Sequence, residues 1–288
     1  MAIPVAIVGL GAMGCPMGLR LVQAGFDVRG FDRDPGRTQQ FVAAGGVAAP
    51  TVAAAVRDAR ALLLLVVNAE QAEDVLFGAA NVARDMPPGS VVLSCLTMAP
   101  ESAAAIGTRL KAHGLRMVDA PVSGGVKRAA MGTLTIMASG PPEDLAAARS
   151  FLSPLGTIHE IGPRHGQAST VKLINQLLCG VHLAAAAEAI ALAERTGVDP
   201  RAAYDVLKTC SGSSHMFADR VPMMLDPGDR VTATAGILLK DLTLVGDLAR
   251  SVNARTPLAR AARDLFAETV SGGFGALHDS EIVRLFRT

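Results

Sequence analysis

The sequence predicts an α/β N-terminal domain, built on a mostly parallel, doubly wound sheet, followed by an all-α C-terminal domain. Three observations carry this reading. Apolar, β-branched or leucine-rich runs alternate with helical spacing through residue 163. The first of those runs ends in a glycine-rich turn that opens directly into a helix. Beyond residue 163 the strand pattern stops and helical spacing alone continues. The expected domains are residues 1–163 and 164–288, joined by a long helix that starts near Gln167.

In chain order, VAIVGLG (5–11), DVRGFD (27–32), ALLLLVV (61–67), SVVLSCL (90–96) and RMVDAPV (116–122) read as strands. TLTIMASG (133–140) and IHEIG (158–162) follow them. Most of these runs are apolar without alternation, the mark of strands covered on both faces. Helices are expected around 14–24, 36–44, 51–57, 70–77 and 100–112. Farther on, GQASTVKLINQLLCGVHLAAAAEAIALAER (166–195) reads as one long helix. PRAAYDVLK, GILLKDLTLVGDLARSV and LARAARDLFAETV show the same spacing, separated by Gly, Pro, Ser or Asp. The polar, glycine-containing SGSSHMFADRVP (211–222) is expected to form a loop.

Half of the residues are hydrophobic and 18% are charged, ample for a packed core. The 27 basic and 26 acidic side chains leave a formal charge of +1, with no basic block, no Trp and a single Tyr, Tyr204. A nucleic-acid partner is therefore not expected. Cys15, Cys95, Cys179 and Cys210 lie far apart with no CxxC pair, which suits reduced thiols in a cytoplasmic protein. His113, His159, His165, His182 and His278 form no ligand-spaced pair, and no metal is expected. Strand-like sequence begins at Ile3 without a charged leader, so no signal peptide is expected. The apolar run Leu177–Ala193 contains His182, Glu188 and many alanines, and reads as a buried helix rather than a membrane span.

VAIVGLGAMGCPMG places Gly9, Gly11 and Gly14 in GxGxxG spacing after an apolar strand and at the head of a helix. In that context the glycines serve a tight turn, close approach of backbone to a pyrophosphate, and close packing of helix on strand. The helix start offers unpaired N–H groups and the positive end of its dipole to the phosphates. Asp32, 18 residues beyond Gly14 at the end of the second strand, is placed to take both ribose hydroxyls of NAD. Arg33 follows it and could instead hold a 2′-phosphate, but a carboxylate there repels that group, so NAD is expected over NADP.

Four motifs, GLGAMG, DAPVSGG (119–125), GQASTVKLINQ (166–176) and LLKDL (238–242), occur in this order. Together they resemble the β-hydroxyacid dehydrogenase family of Rossmann-fold enzymes, across essentially the whole chain. VVNAEQAEDVLFG (66–78), INQLLCGVHLAAAAEA (174–189) and the Phe217/Arg220/Pro222 pattern are most similar to its L-threonate dehydrogenase branch. The resemblance implies that Lys172 is the catalytic acid/base, with Asn175 beside it. Positions three apart share a helix face, so both side chains can reach one substrate hydroxyl. A lysine in a partly apolar setting has its pKa lowered and can take the proton that an alcohol loses on oxidation. Read alone, Lys172 would equally be a lysine snorkelling from a helix end.

The resemblance further implies that Ser123, Gly124 and Gly125 bind a substrate carboxylate, their backbone N–H groups approachable for want of Cβ atoms. A glycine turn without a ligand is the plainer alternative. Leu10, Ala12, Met13, Val67, Asn68, Thr97 and Lys240 join the glycines, Asp32 and Arg33 as implied cofactor contacts. Lys240 with Asp241 could otherwise be a surface pair. Ser214 and His215 could bind the hydroxyls of a polyol acid.

The resulting expectation is NAD-dependent oxidation of a small hydroxy acid, a sugar acid such as L-threonate, to its 2-oxo acid. A 3-hydroxyisobutyrate dehydrogenase or tartronate semialdehyde reductase is the same-class alternative. A dinucleotide-binding regulator without turnover is the different-class one, against which the retained Lys172 and Asn175 speak. Alanine-rich faces around 183–193, together with the resemblance, point to a homodimer or homotetramer.

Overall fold

The computed structural model describes residues 2–228 and 232–287. Among them, nine strands form one sheet: β1 (Pro4–Val8), β2 (Asp27–Phe31), β3 (Val47–Ala48), β4 (Ala61–Leu64), β5 (Val91–Ser94), β6 (Arg116–Asp119), β7 (Val122–Ser123), β8 (Leu134–Ser139) and β9 (Gly156–Gly162). The order is β3-β2-β1-β4-β5-β6-β8-β7, with β9 paired to β8. The first six are parallel, and their order is that of the doubly wound dinucleotide-binding sheet. Direction then reverses: β8 runs antiparallel to β6 and β7, while β9 runs parallel to β8.

Apolar strands are explained by two cores. Val5 and Ile7 of β1 join Leu63, Leu93 and Met17 on one face. Ala6 and Val8 join Leu62, Leu64, Val92 and Ile106 on the other. Successive side chains of one strand thus enter different cores, which leaves no position in β1, β4 or β5 for a polar alternation.

Three differences from the sequence expectation have local causes. RMVDAPV is not one strand: β6 ends at Asp119, Pro121 interrupts the ladder, and Val122–Ser123 pairs separately with β8. The two-residue strand β3 was too short to leave a pattern. Helices Gly125–Met131 and Pro142–Leu152 also form where none was expected, the second opened by Pro at its first position and by Glu143 and Asp144 in its first turn.

One corner of the sheet is organised round an aromatic ring. Phe41 is fully buried, and a Cβ on Gly18, Gly30 or Gly46 would lie 3.0, 2.6 or 2.3 Å from its ring atoms. The three glycines are small because the ring occupies the space beside each.

The chain divides into two units, the first ending at Lys172 and the second beginning at Leu173. The second unit is helical: Pro200–Leu207, His215–Leu225, Ala235–Ser251 and Pro257–Thr269 follow the long helix Gln167–Arg195. By length and composition this long helix could cross a membrane. In the fold, its Leu183, Ala186, Ala187 and Ile190 pack in one core with Phe217, Val221, Leu242 and Phe266.

The expectation of a loop over 211–222 is overturned from His215 onward. Ser214 caps a helix there, its Oγ accepting from Phe217 N at 3.0 Å. On that helix Arg220 is largely buried, and its Nε lies 2.9 Å from the buried Asp279 carboxylate. Removing one member of a buried ion pair strands the other. Arg220→Met is therefore expected to cost about 3–5 kcal/mol in urea unfolding, with Arg220→Met/Asp279→Leu recovering most of it.

Candidate active site

The glycine loop joins β1 to the helix Gly14–Gln23. Gly9 has φ +96°, and a Cβ on it would lie 2.4 Å from Leu65 O. A Cβ on Gly14 would lie 1.8 Å from Gly9 O, so helix and strand touch through backbone here. Both glycines are required by the protein's own packing. Gly11 is not: a Cβ there would meet only the tip of Arg37, at 3.5 Å. The space before Gly11 fits the close approach of a pyrophosphate, with Leu10, Ala12 and Met13 completing the loop.

Asp32, one residue beyond β2, is buried, and its carboxylate closes the loop. Its Oδ2 accepts from Leu10 N at 2.8 Å, and its Oδ1 from Asp34 N at 2.9 Å. Arg37 Nη1 lies 3.6 Å from Oδ2. A carboxylate offers about four acceptor sites, so capacity for ribose hydroxyls remains. Arg33 is exposed beside it. Arg37, which sequence reasoning missed, lies on the following helix turn, where no motif marks it.

After β4, Val67 is exposed and Asn68 caps the helix Ala69–Phe77, its Oδ1 accepting from Gln71 N at 2.9 Å. Thr97 follows β5 and is half-buried.

The first unit also brings Lys172 and Ser123 together. Lys172 is buried, and its Nζ donates to Val122 O at 2.9 Å. The ammonium group therefore sits on the carbonyl immediately before Ser123. Gly124 and Gly125 then take φ +133° and +71°, conformations that side chains disfavour, and the helix Gly125–Met131 begins. This turn presents a hydroxyl and backbone N–H groups, a fitting cradle for a carboxylate.

What fixes this arrangement is Asp119, a residue of DAPVSGG for which sequence reasoning found no role. It ends β6 with no exposure to solvent. Its Oδ2 accepts from Gly166 N (3.0 Å), Ser169 N (2.9 Å) and Ser139 Oγ (3.3 Å), and its Oδ1 from Ser169 Oγ (2.8 Å). Ser139 Oγ in turn accepts from Ala168 N at 2.9 Å. The first N–H groups of the long helix, which have no partner within the helix, are thus capped by two residues from the ends of β6 and β8. Burial raises the Asp119 pKa against the opposing pull of hydrogen bonds from Ser169, Gly166 and Ser139.

In the second unit, Asn175 lies three positions beyond Lys172 on the same helix. Its Nδ2 donates to Gln176 Oε1 at 3.0 Å and to Cys179 Sγ at 3.5 Å. Lys240 pairs with Asp241 at 2.8 Å, and Asp241 is buried rather than at the surface. Ser214 serves as the helix cap described above, and His215 opens that helix.

Residues 4–166 match the family model of the NAD-binding domain of 6-phosphogluconate dehydrogenase, and residues 166–286 that of the NAD-binding domain of NADP-dependent 3-hydroxyisobutyrate dehydrogenase. The chain is 44% identical to L-threonate dehydrogenase of Cupriavidus necator, over 98% of this chain and 95% of that one. It is 32% identical to 3-hydroxyisobutyrate dehydrogenase of Pseudomonas aeruginosa, over 91% of each. Its structure is similar to the crystal structure of 3-hydroxyisobutyrate dehydrogenase from Salmonella typhimurium, with a TM-score of 0.93 and 38% identity, covering 98% of this chain and 99% of that one.

Two outcomes test this geometry. Asp119→Asn sets an N–H₂ against a ring of donors and should destabilise the fold by about 1–3 kcal/mol, with faster hydrogen exchange at the amides of Gly166 and Ser169. Cys95 has its thiol pushed from 9.0 up to about 12, by burial first and the Asp119 charge second. Folding raises this pKa, so the neutral thiol favours the fold below pH 9.0 and that contribution is lost as pH rises through about 12. At pH 8 a maleimide should label the exposed Cys210 at once and Cys95 on unfolding alone, as read by mass spectrometry.

Proposed function

Because the chain belongs to the 3-hydroxyisobutyrate dehydrogenase family of NAD(P)-dependent oxidoreductases acting on CH–OH groups, we propose that it oxidises a sugar acid such as L-threonate beside its carboxylate, to the 2-oxo acid. The observation that carries this reading is Lys172 Nζ, held 2.9 Å from Val122 O at the entrance to the Ser123–Gly124–Gly125 turn. A carboxylate bound by that turn brings its neighbouring carbon toward the lysine, which suits a hydroxyl on that carbon.

A bound dinucleotide supplies the hydride acceptor, and Gly9, Leu10, Gly11, Ala12, Met13 and Gly14 would hold its pyrophosphate. Val67, Asn68, Thr97 and Lys240 are proposed as further cofactor contacts. The chain's own part is the proton. In oxidation the Lys172 amine takes it from the substrate hydroxyl, and in reduction the ammonium returns it to the alkoxide. Asn175 orients the substrate, and Ser214 and His215 are assigned to further hydroxyls along it. Asp32 supports NAD over NADP, because its carboxylate would repel a 2′-phosphate, even though Arg33 and Arg37 stand near it.

The domains implied are a dinucleotide-binding portion over 1–163 and a helical portion for substrate and oligomer contacts over 164–288. A cytoplasmic homodimer or homotetramer is the proposed form.

The test is absorbance at the reduced nicotinamide band with NAD or NADP, against L-threonate, D-glycerate and 3-hydroxyisobutyrate. L-Threonate with NAD should give the highest kcat/KM. Lys172→Met should lose about 100- to 10,000-fold in kcat while still binding NADH by fluorescence. Preference for 3-hydroxyisobutyrate would reassign the substrate. NADH binding without turnover on any acid would replace the enzyme reading with a regulatory one.

A further inference from the structure

A chain of polar side chains in the second unit has a direction. Asp241 is buried, with 2% of its surface exposed, and both partners of its carboxylate among the described residues are donors. Lys240 Nζ approaches Oδ1 at 2.8 Å, and Gln176 Nε2 donates to Oδ2. A carboxylate flanked by donors can only accept. The orientation of an amide side chain is ordinarily ambiguous, because its O and N look alike. Here it is not, since Gln176 must turn its nitrogen to Asp241. Its Oε1 then faces the other way, where it accepts from Asn175 Nδ2 at 3.0 Å. The remaining reach of that same nitrogen goes to Cys179 Sγ at 3.5 Å.

Both donor directions of Asn175 are therefore used within its own helix, while its Oδ1 receives no hydrogen bond from any described residue. Half-buried at the helix surface, the amide offers an acceptor. With its nitrogen committed within the helix, the amide has its carbonyl oxygen left to accept. Asp241 makes that commitment two residues removed, through Gln176.

We propose that Asp241 and Gln176 are positioning residues that fix Asn175 as a hydrogen-bond acceptor, and so select substrates bearing a hydroxyl donor at that point. This rests on the reading of Asn175 as the residue that orients substrate. The chemical class selected is a polyhydroxy acid with adjacent hydroxyls, in preference to an acid carrying a methyl branch. A site that accepts from a hydroxyl discriminates strongly against analogues lacking it, because the acceptor is left unpaired. Lys240 shares the same carboxylate, so its ammonium group is tied to the same relay.

Gln176→Met is the discriminating variant. It keeps the side-chain length and the Lys240–Asp241 pair but removes both amide contacts. The ratio of kcat/KM for L-threonate over that for 3-hydroxyisobutyrate should fall about 10- to 100-fold. Asp241→Asn should lower the ratio as well, because an asparagine amide can donate to Gln176 Oε1 and let the relay run backwards. Equal losses on both acids, leaving the ratio unchanged, would overturn the proposal and mark the relay as structural support.

A second readout needs no turnover. The chain has four asparagines, Asn68, Asn81, Asn175 and Asn253, so selective ¹⁵N-amide labelling resolves their side chains by NMR. The Asn175 amide protons, assigned through Asn175→Asp, should exchange slowly in the parent protein and fast in Gln176→Met. Equal exchange rates in the two proteins would also sink the proposal. Failure of the parent to oxidise any acid, with the Asn175 amide still protected, would instead count against the proposed function while the relay stood.

Discussion

The geometry of the first unit hangs on one buried carboxylate. Asp119 receives hydrogen bonds from Ser139 at the end of β8, from Gly166 just before the long helix, and from Ser169 in its first turn. Two pieces of chain distant in sequence, the end of β8 and the start of the long helix, are thereby fixed in register with the end of β6. A slip of the helix by one residue would leave buried donors without an acceptor, at about 1–3 kcal/mol for each group. Lys172 lies three residues beyond Ser169, and Ser123 four beyond Asp119, so both inherit their placement from this clamp. The position of the lysine is thus set by sheet packing rather than by a loop.

The fold was largely legible because its signals are redundant. Continuous apolar strands, the glycine turn and helical spacing after residue 163 all point to the same architecture. What escaped did so for identifiable reasons. β3 is two residues long, and RMVDAPV hides its break because Val122 is as apolar as the strand before it. SGSSHMFADRVP reads as polar loop, yet Ser214 followed by Phe217 and Val221 is a capped helix whose apolar residues are diluted by Asp219 and Arg220. The site divides similarly. The glycines announce themselves by spacing, and Lys172 and Asn175 stand out through the family resemblance, whereas Asp119, Gln176 and Asp241 act through partners 50 or 65 residues away. No local pattern encodes such a pairing.

The glycine loop separates two meanings that one motif contains. Gly9 and Gly14 answer to contacts inside the protein, where any Cβ would strike backbone. Gly11 meets no such contact, since a Cβ there would touch only the tip of Arg37 at 3.5 Å. Asp32 plays in both registers, since its carboxylate anchors Leu10 from within while standing at the strand end where a ribose would lie.

The Phe41 corner bears on how such a chain can diverge. Gly18, Gly30 and Gly46 come from a helix, a strand and a loop, yet each is limited by the same ring. In evolutionary terms the four positions form one locus. An alanine at Gly30 or Gly46 is barred while the ring remains and one at Gly18 presses on it, and a smaller residue in place of Phe41 would leave a void that those alanines could fill. Drift in this corner should therefore come as paired changes, and lineages that trade the aromatic away should be recognisable by the methyl groups that replaced it.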